Sequence, residues 1–139
     1  MELKFTENMS SEEYNELRLS VGWRPITERQ AEAGLEHTTF LTAVRDENKI
    51  IAMGRVIFDF GYTAYLGDVI VRPEYQCQGI GRKIVEILID KTMDSVCEGE
   101  RVMFILGAAK DKEDFYEKLG FHRRPNEFSG AGMSMWRAK

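Results

Sequence analysis

One stretch limits what this chain can fold into more than any other: an apolar run that meets a proline and then opens into paired glycines. Asp68-Val69-Ile70-Val71 is followed by Arg72-Pro73, a short polar loop, and Gly79-Ile80-Gly81-Arg82. Pro73 lacks an amide donor and pushes Arg72 out of helical geometry, so a strand ends there. From Gly79 onward Ile80, Ile84, Ile87, Leu88 and Lys91 recur at helical spacing. The glycines therefore fall at a helix N-terminus, where unpaired amides and the positive end of the dipole favour an anion. Without Cβ atoms, Gly79 and Gly81 let phosphate oxygens reach the backbone. The plainer alternative is a loop whose glycines only solve turn geometry. Other phosphate motifs fit worse. A dinucleotide fingerprint wants a third glycine near Arg82 or Lys83, and a Walker loop wants Gly-Lys-Ser/Thr where Gly81 is followed by Arg82-Lys83-Ile84.

The rest of the chain reads as one mixed α/β domain over residues 1–139. Leu3 to Thr6 predicts a strand, and Ser10-Ser11-Glu12-Glu13 a capping box that starts a helix through about Ser20. Thr27 with Gln30 is a second capping box, for a helix to about Glu36. Thr39 to Arg45 and Lys49 to Phe60 are rich in strand formers around the turn residues Asp46-Glu47-Asn48, and Tyr62 to Val71 continues the meander. The glycine helix fades near Cys97-Glu98-Gly99. Arg101 to Leu106 then predicts a strand, Asp111 to Leu119 a short helix stopped by Gly120, and Phe121 and Gly132 to Arg137 two final strands. Antiparallel pairs with one parallel crossover follow from this order.

A chain of 139 residues with net charge -4 and a pI near 5.3 carries no general basic field for nucleic acid, so a small-molecule partner is expected. Only Cys77 and Cys97 occur, which fits a reducing compartment. No apolar run approaches membrane-spanning length and the N-terminal stretch is polar and acidic, so the expectation is a cytoplasmic protein without membrane contact. His37 and His122 lack a third ligand at a metal-binding spacing, and no metal is expected.

Gln76-x-x-Gly79-x-Gly81 resembles the Gln/Arg-x-x-Gly-x-Gly/Ala signature of the GNAT superfamily of N-acetyltransferases, and Phe115-Tyr116-Glu117-Lys118-Leu119-Gly120-Phe121 is similar to that family's second landmark. The likeness is most specific from about Tyr65 to Phe121. It implies a GNAT-like fold, acetyl-CoA as co-substrate, and direct acetyl transfer to a primary amine of a small molecule or peptide. It implies coenzyme contacts from the backbone of Val69, Ile70 and Val71 and from the loop Gln76, Cys77, Gln78, Gly79, Ile80, Gly81 and Arg82. Tyr116 is implied as the acid that protonates the departing thiolate, against plain packing beside Phe115 and Leu119.

Asp68 is a candidate base or amine anchor and Asp59 a candidate acceptor contact, against the alternatives of orienting backbone and starting a turn. The resemblance also implies Trp23, with Phe60, Tyr62 and Tyr65, as a candidate lining of the acceptor pocket, against core packing. Ala109 and Lys112 replace the asparagine and alanine that many relatives carry before the tyrosine, which removes one side-chain contact to the pantetheine arm. A non-catalytic acyl-CoA-binding module is the alternative function. A homodimer is a frequent state among relatives.

Overall fold

The computed structural model describes residues 2–139, which divide into two compact units meeting in sequence between Leu106 and Gly107. The first holds one five-stranded sheet in the order β1 (Leu3–Thr6), β2 (Phe40–Asp46), β3 (Lys49–Phe58), β4 (Thr63–Val71) and β5 (Met103–Ile105). All neighbours are antiparallel except β4 and β5. Helices α1 (Ser11–Ser20) and α2 (Glu28–Glu36) follow β1, and α3 (Ile80–Asp94) makes the crossover from β4 to β5.

Both expected capping boxes form. Ser10 Oγ accepts from the Glu13 amide at 3.1 Å while Glu13 Oε1 accepts from the Ser10 amide at 2.9 Å. Thr27 and Gln30 repeat the exchange at the start of α2. Tyr14, Leu17 and Ala31 of these helices bury against Ala43, Ile50, Met53 and Ile70 of the sheet, with Met9, Trp23, Ile26 and Leu35 around them. Strand alternation turns Gly54, between Met53 and Arg55, to the opposite face, where α3 packs. A Cβ at Gly54 would stand 2.6 Å from Ile84 Cγ2 and 3.1 Å from Leu88 Cδ1, so the bare backbone lets the helix approach this closely.

Opposite Gly54 the β3–β4 ladder slips: Met53 pairs with Ile70 and Arg55 with Gly67, which leaves Asp68 and Val69 against a single residue. This is a β-bulge, and Asp68 within it adopts left-handed backbone, φ 49°. β3 stops at Phe58 rather than Phe60. Asp59 Oδ1 accepts from the amides of Gly61 (2.8 Å) and Thr63 (3.3 Å), and Phe60 sits at φ 62°, so Asp59 to Tyr62 form the turn instead of strand.

The second unit, residues 107–139, contains α4 (Glu113–Glu117). The two final strands expected at Phe121 and Gly132 to Arg137 are absent among the described residues. The Phe121 amide is spent on capping α4, where it donates to Tyr116 O at 3.1 Å. In the second segment Met133, Met135 and Trp136 are all exposed, at 95, 71 and 92 %. With both parities in solvent, no face is buried to fix a strand register.

Candidate active site

β4 and β5 pair only from Thr63↔Met103 to Tyr65↔Ile105. Beyond Tyr65, β4 runs on for six residues, Leu66 to Val71, with β3 as its only partner strand among the described residues. The Val69–Val71 backbone lies in this stretch, at an open sheet edge of the kind that accepts an extended amide-bearing ligand.

Past the strand, the loop is fixed by its own polar groups. Gln76 Nε2 donates to Val71 O at 2.8 Å, Arg72 Nε donates to Ile50 O at 2.7 Å, and the Tyr75 hydroxyl donates to Asp46 Oδ2 at 2.5 Å. Gln76 thus ties the loop to the strand end. Cys77 and Gly79 both adopt left-handed backbone, at φ 62° and 81°, and Cys77, Gln78, Gly79 and Arg82 are exposed. Gly79 is the N-cap of α3, and no side chain caps that helix, in contrast to the boxes on α1 and α2. The amides of its first turn have no intrahelical acceptor and gather at an exposed glycine, a suitable cradle for a phosphate. The Ile80 side chain is buried in the core, which leaves only its backbone facing the loop.

Asp68 enters a cluster whose members lie far apart in the sequence. Its Oδ2 accepts from the Tyr14 hydroxyl and, at 2.7 Å, from Arg55 Nε, while Arg18 Nη1 stands 3.6 Å from Oδ1. Arg55 Nη1 also reaches Thr38 Oγ1 (3.1 Å) and Gly34 O (3.3 Å), joining the end of α2 to the sheet. Burial, then the Asp68 charge and hydrogen bond, push the Tyr14 phenol up to about 12, so it is held as a donor. Burial works against the charge of Arg55, yet its bonds to Asp68 and Tyr14 leave its pKa raised. Two sequence signals single out its members, though not their meeting: Tyr14 and Arg18 share a face of α1 at i, i+4, and Arg55 is a lone cation inside the apolar run Ile50 to Phe58.

Trp23 is half-buried on the α1/α2 core with the Arg18 guanidinium 5.6 Å from its ring centre. Asp59 is occupied by its turn and does not join the Asp68 cluster. In the second unit, Tyr116 O accepts from the Phe121 amide and Glu117 O from the Gly120 amide, with Gly120 at φ 99°. This is a Schellman cap, and the Tyr116 and Phe121 rings supply its apolar contact at 5.8 Å. The Tyr-x-x-x-Gly-Phe spacing therefore has a structural cause that a phenyl ring would satisfy as well. Among the described residues no three His, Cys, Asp or Glu side chains gather to hold a metal, and no helix is long and apolar enough to cross a membrane.

An open mixed sheet with one parallel crossover and an uncapped glycine-led helix defines an α/β domain of the acetyltransferase type. The chain matches the Acetyltransferase (GNAT) family over residues 4–121 and belongs to that family. A solved Staphylococcus aureus structure, described as a protein of unknown function and probable acetyltransferase, is 31% identical with a TM-score of 0.87, covering 98% of this chain and 100% of that one. The uncharacterized N-acetyltransferase ycf52 of Porphyra purpurea is 28% identical over 134 residues, 92% of this chain and 74% of the relative. The chloroplastic GCN5-related N-acetyltransferase 2 of Arabidopsis thaliana is 35% identical over 86 residues, 62% of this chain and 32% of that protein.

Proposed function

We propose that this acetyltransferase binds acetyl-CoA along the open edge of β4 and moves its acetyl group directly to a primary amine. The supporting observation is the continuity of two complementary features on one segment: the unpaired edge from Leu66 to Val71 and, eight residues beyond, the uncapped start of α3 at Gly79. The pantetheine arm needs the first and the pyrophosphate needs the second. The alternative of a binding module uses the same two features, so turnover has to separate them.

In the proposed reaction the amine nitrogen attacks the thioester carbon, the carbonyl oxygen takes up negative charge, and the carbon–sulfur bond then breaks. An aimed β4 amide would stabilise that oxygen, an effect worth about 3 to 4 kcal/mol for a well-placed donor. Tyr116 is assigned, on its sequence likeness, to protonate the leaving thiolate, and the proton that the nitrogen loses on becoming an amide restores the phenol. An alkylamine of pKa ~10.4 is mostly protonated at neutral pH, so water must carry one proton away before attack. Asp68 is given a positioning role rather than that of base, because Tyr14, Arg55 and Arg18 already surround its carboxylate.

Gly81→Glu tests the coenzyme site. Glutamate suits the first turn of a helix, so the fold should persist, yet its carboxylate would compete with phosphate for the same amides. Loss of calorimetric acetyl-CoA binding at unchanged melting temperature is expected. Unaltered binding would remove the pyrophosphate from α3.

A further inference from the structure

The cluster around Asp68 carries more positive charge than its local pairing needs. Two guanidiniums, Arg18 and Arg55, face one carboxylate, and Tyr14 is neutral, leaving one net positive charge. The acidic residues nearby on α1 do not cancel it. Glu13 is bound to Arg45 at 2.5 Å and Glu16 is paired with Arg72 at 3.5 Å. Glu12 is on the exposed side, accepting from Ser11 Oγ.

The two arginines differ in how fully they are engaged. Arg55 donates to Asp68 at 2.7 Å, to Thr38 and to Gly34. Arg18 is oriented by other means: its Nε donates to Arg24 O at 2.9 Å, and its guanidinium lies over Trp23. Its Nη1 remains 3.6 Å from Asp68, beyond hydrogen-bond length. A fork held at its base by a carbonyl and an indole, with its tip unclamped, is preorganised to take an oxoanion in a bidentate grip. The side chains of Arg18 and Asp68 are 13 and 14 % exposed, so the cluster is shielded from bulk water without being sealed. Asp68 also lies on the stretch of β4 that has parted from β5, which places Arg18 beside the proposed thioester cleft.

We infer that Arg18 receives a carboxylate of the acceptor, so that the preferred substrates are primary amines that also carry a carboxylate. One spare positive charge matches a monoanion rather than a phosphate dianion. The inference rests on the acetyl-transfer reading above and specifies its acceptor.

The test uses the full chain, acetyl-CoA, and ω-amino acids of two to six carbons, each compared with its own carboxamide. At the best chain length the acid should exceed the amide by about 10-fold or more in kcat/KM, the size expected of a charge-assisted hydrogen bond. Arg18→Gln should bring that ratio towards one without altering acetyl-CoA affinity, and Arg18→Lys should keep part of it. Equal or better use of the amides by the wild-type protein would overturn the inference, as would a ratio unaffected by Arg18→Gln. Should Arg18→Gln fail to fold, the wild-type ratio and its decline with added salt decide the matter. Absence of coenzyme binding or of any amine turnover would instead strike the acetyl-transfer reading itself.

Discussion

Tyr116 and Asp68 show how far a single residue's role can be taken from its type. Tyr116 is visible in the sequence through its spacing to Gly120 and Phe121, but that spacing also builds the cap of α4, so the spacing alone does not assign its hydroxyl a role. Tyr116→Phe separates the ring from the hydroxyl. The ring contact of the cap survives, and turnover should fall by about 10² to 10⁴ with coenzyme affinity nearly constant. Unchanged turnover would leave Tyr116 as packing alone. Asp68 was visible as a carboxylate near the glycine loop, whereas its three partners came from distant positions and its left-handed backbone from a register slip, neither of which local pattern encodes. Asn tolerates that backbone better than Ala does. Asp68→Asn should therefore cost about 2 to 3 kcal/mol through the unbalanced guanidiniums, and Asp68→Ala more, as measured by denaturant unfolding.

At the scale of elements, the capping boxes of α1 and α2 and the proline stop after Val71 were readable because each is decided within a few residues. The end of β3 at Phe58 and the missing strands after α4 were not, since Asp59 and Phe121 divert backbone amides into a turn and a cap where hydrophobicity suggested a ladder. Close packing of α3 on β3 was equally hidden, being a property of what faces Gly54. Gly54→Val should force Ile84 and Leu88 apart and destabilise the protein by about 1 to 3 kcal/mol, lowering the unfolding midpoint. An unaltered midpoint would mean that α3 is not packed on the sheet as described. The loop before α3 offers a gentler test of positioning. Tyr75→Phe removes the hydroxyl bond to Asp46 and should weaken acetyl-CoA binding several-fold while leaving acceptor KM in place.

For the whole molecule, the ionisable groups frame a window of stability. The raised phenol of Tyr14 means that the folded state holds its proton more tightly than the unfolded chain, so that contribution is complete below about pH 10 and is lost as pH rises towards about 12. On the acid side, Arg45 holds the Glu13 carboxyl below its ordinary value, so that stability is present above the unfolded carboxylate range and fades as the pH falls through it. Melting temperature against pH should show both edges, and Tyr14→Phe should flatten the alkaline one. The family and a mixed sheet with one parallel crossover could be read in the sequence because the glycine loop and the meander each lie in one continuous stretch. The acceptor-side cluster could not, because α1, β3 and β4 meet there only on folding. In the proposed complex the first-turn amides of α3 and the open edge of β4 together hold the coenzyme. Backbone amide chemical shifts followed during titration with acetyl-CoA test this arrangement. Saturable shifts concentrated at Gly79 to Arg82 and at Val69 to Val71 are predicted; no shifts at millimolar coenzyme, or shifts confined to other elements, would contradict it.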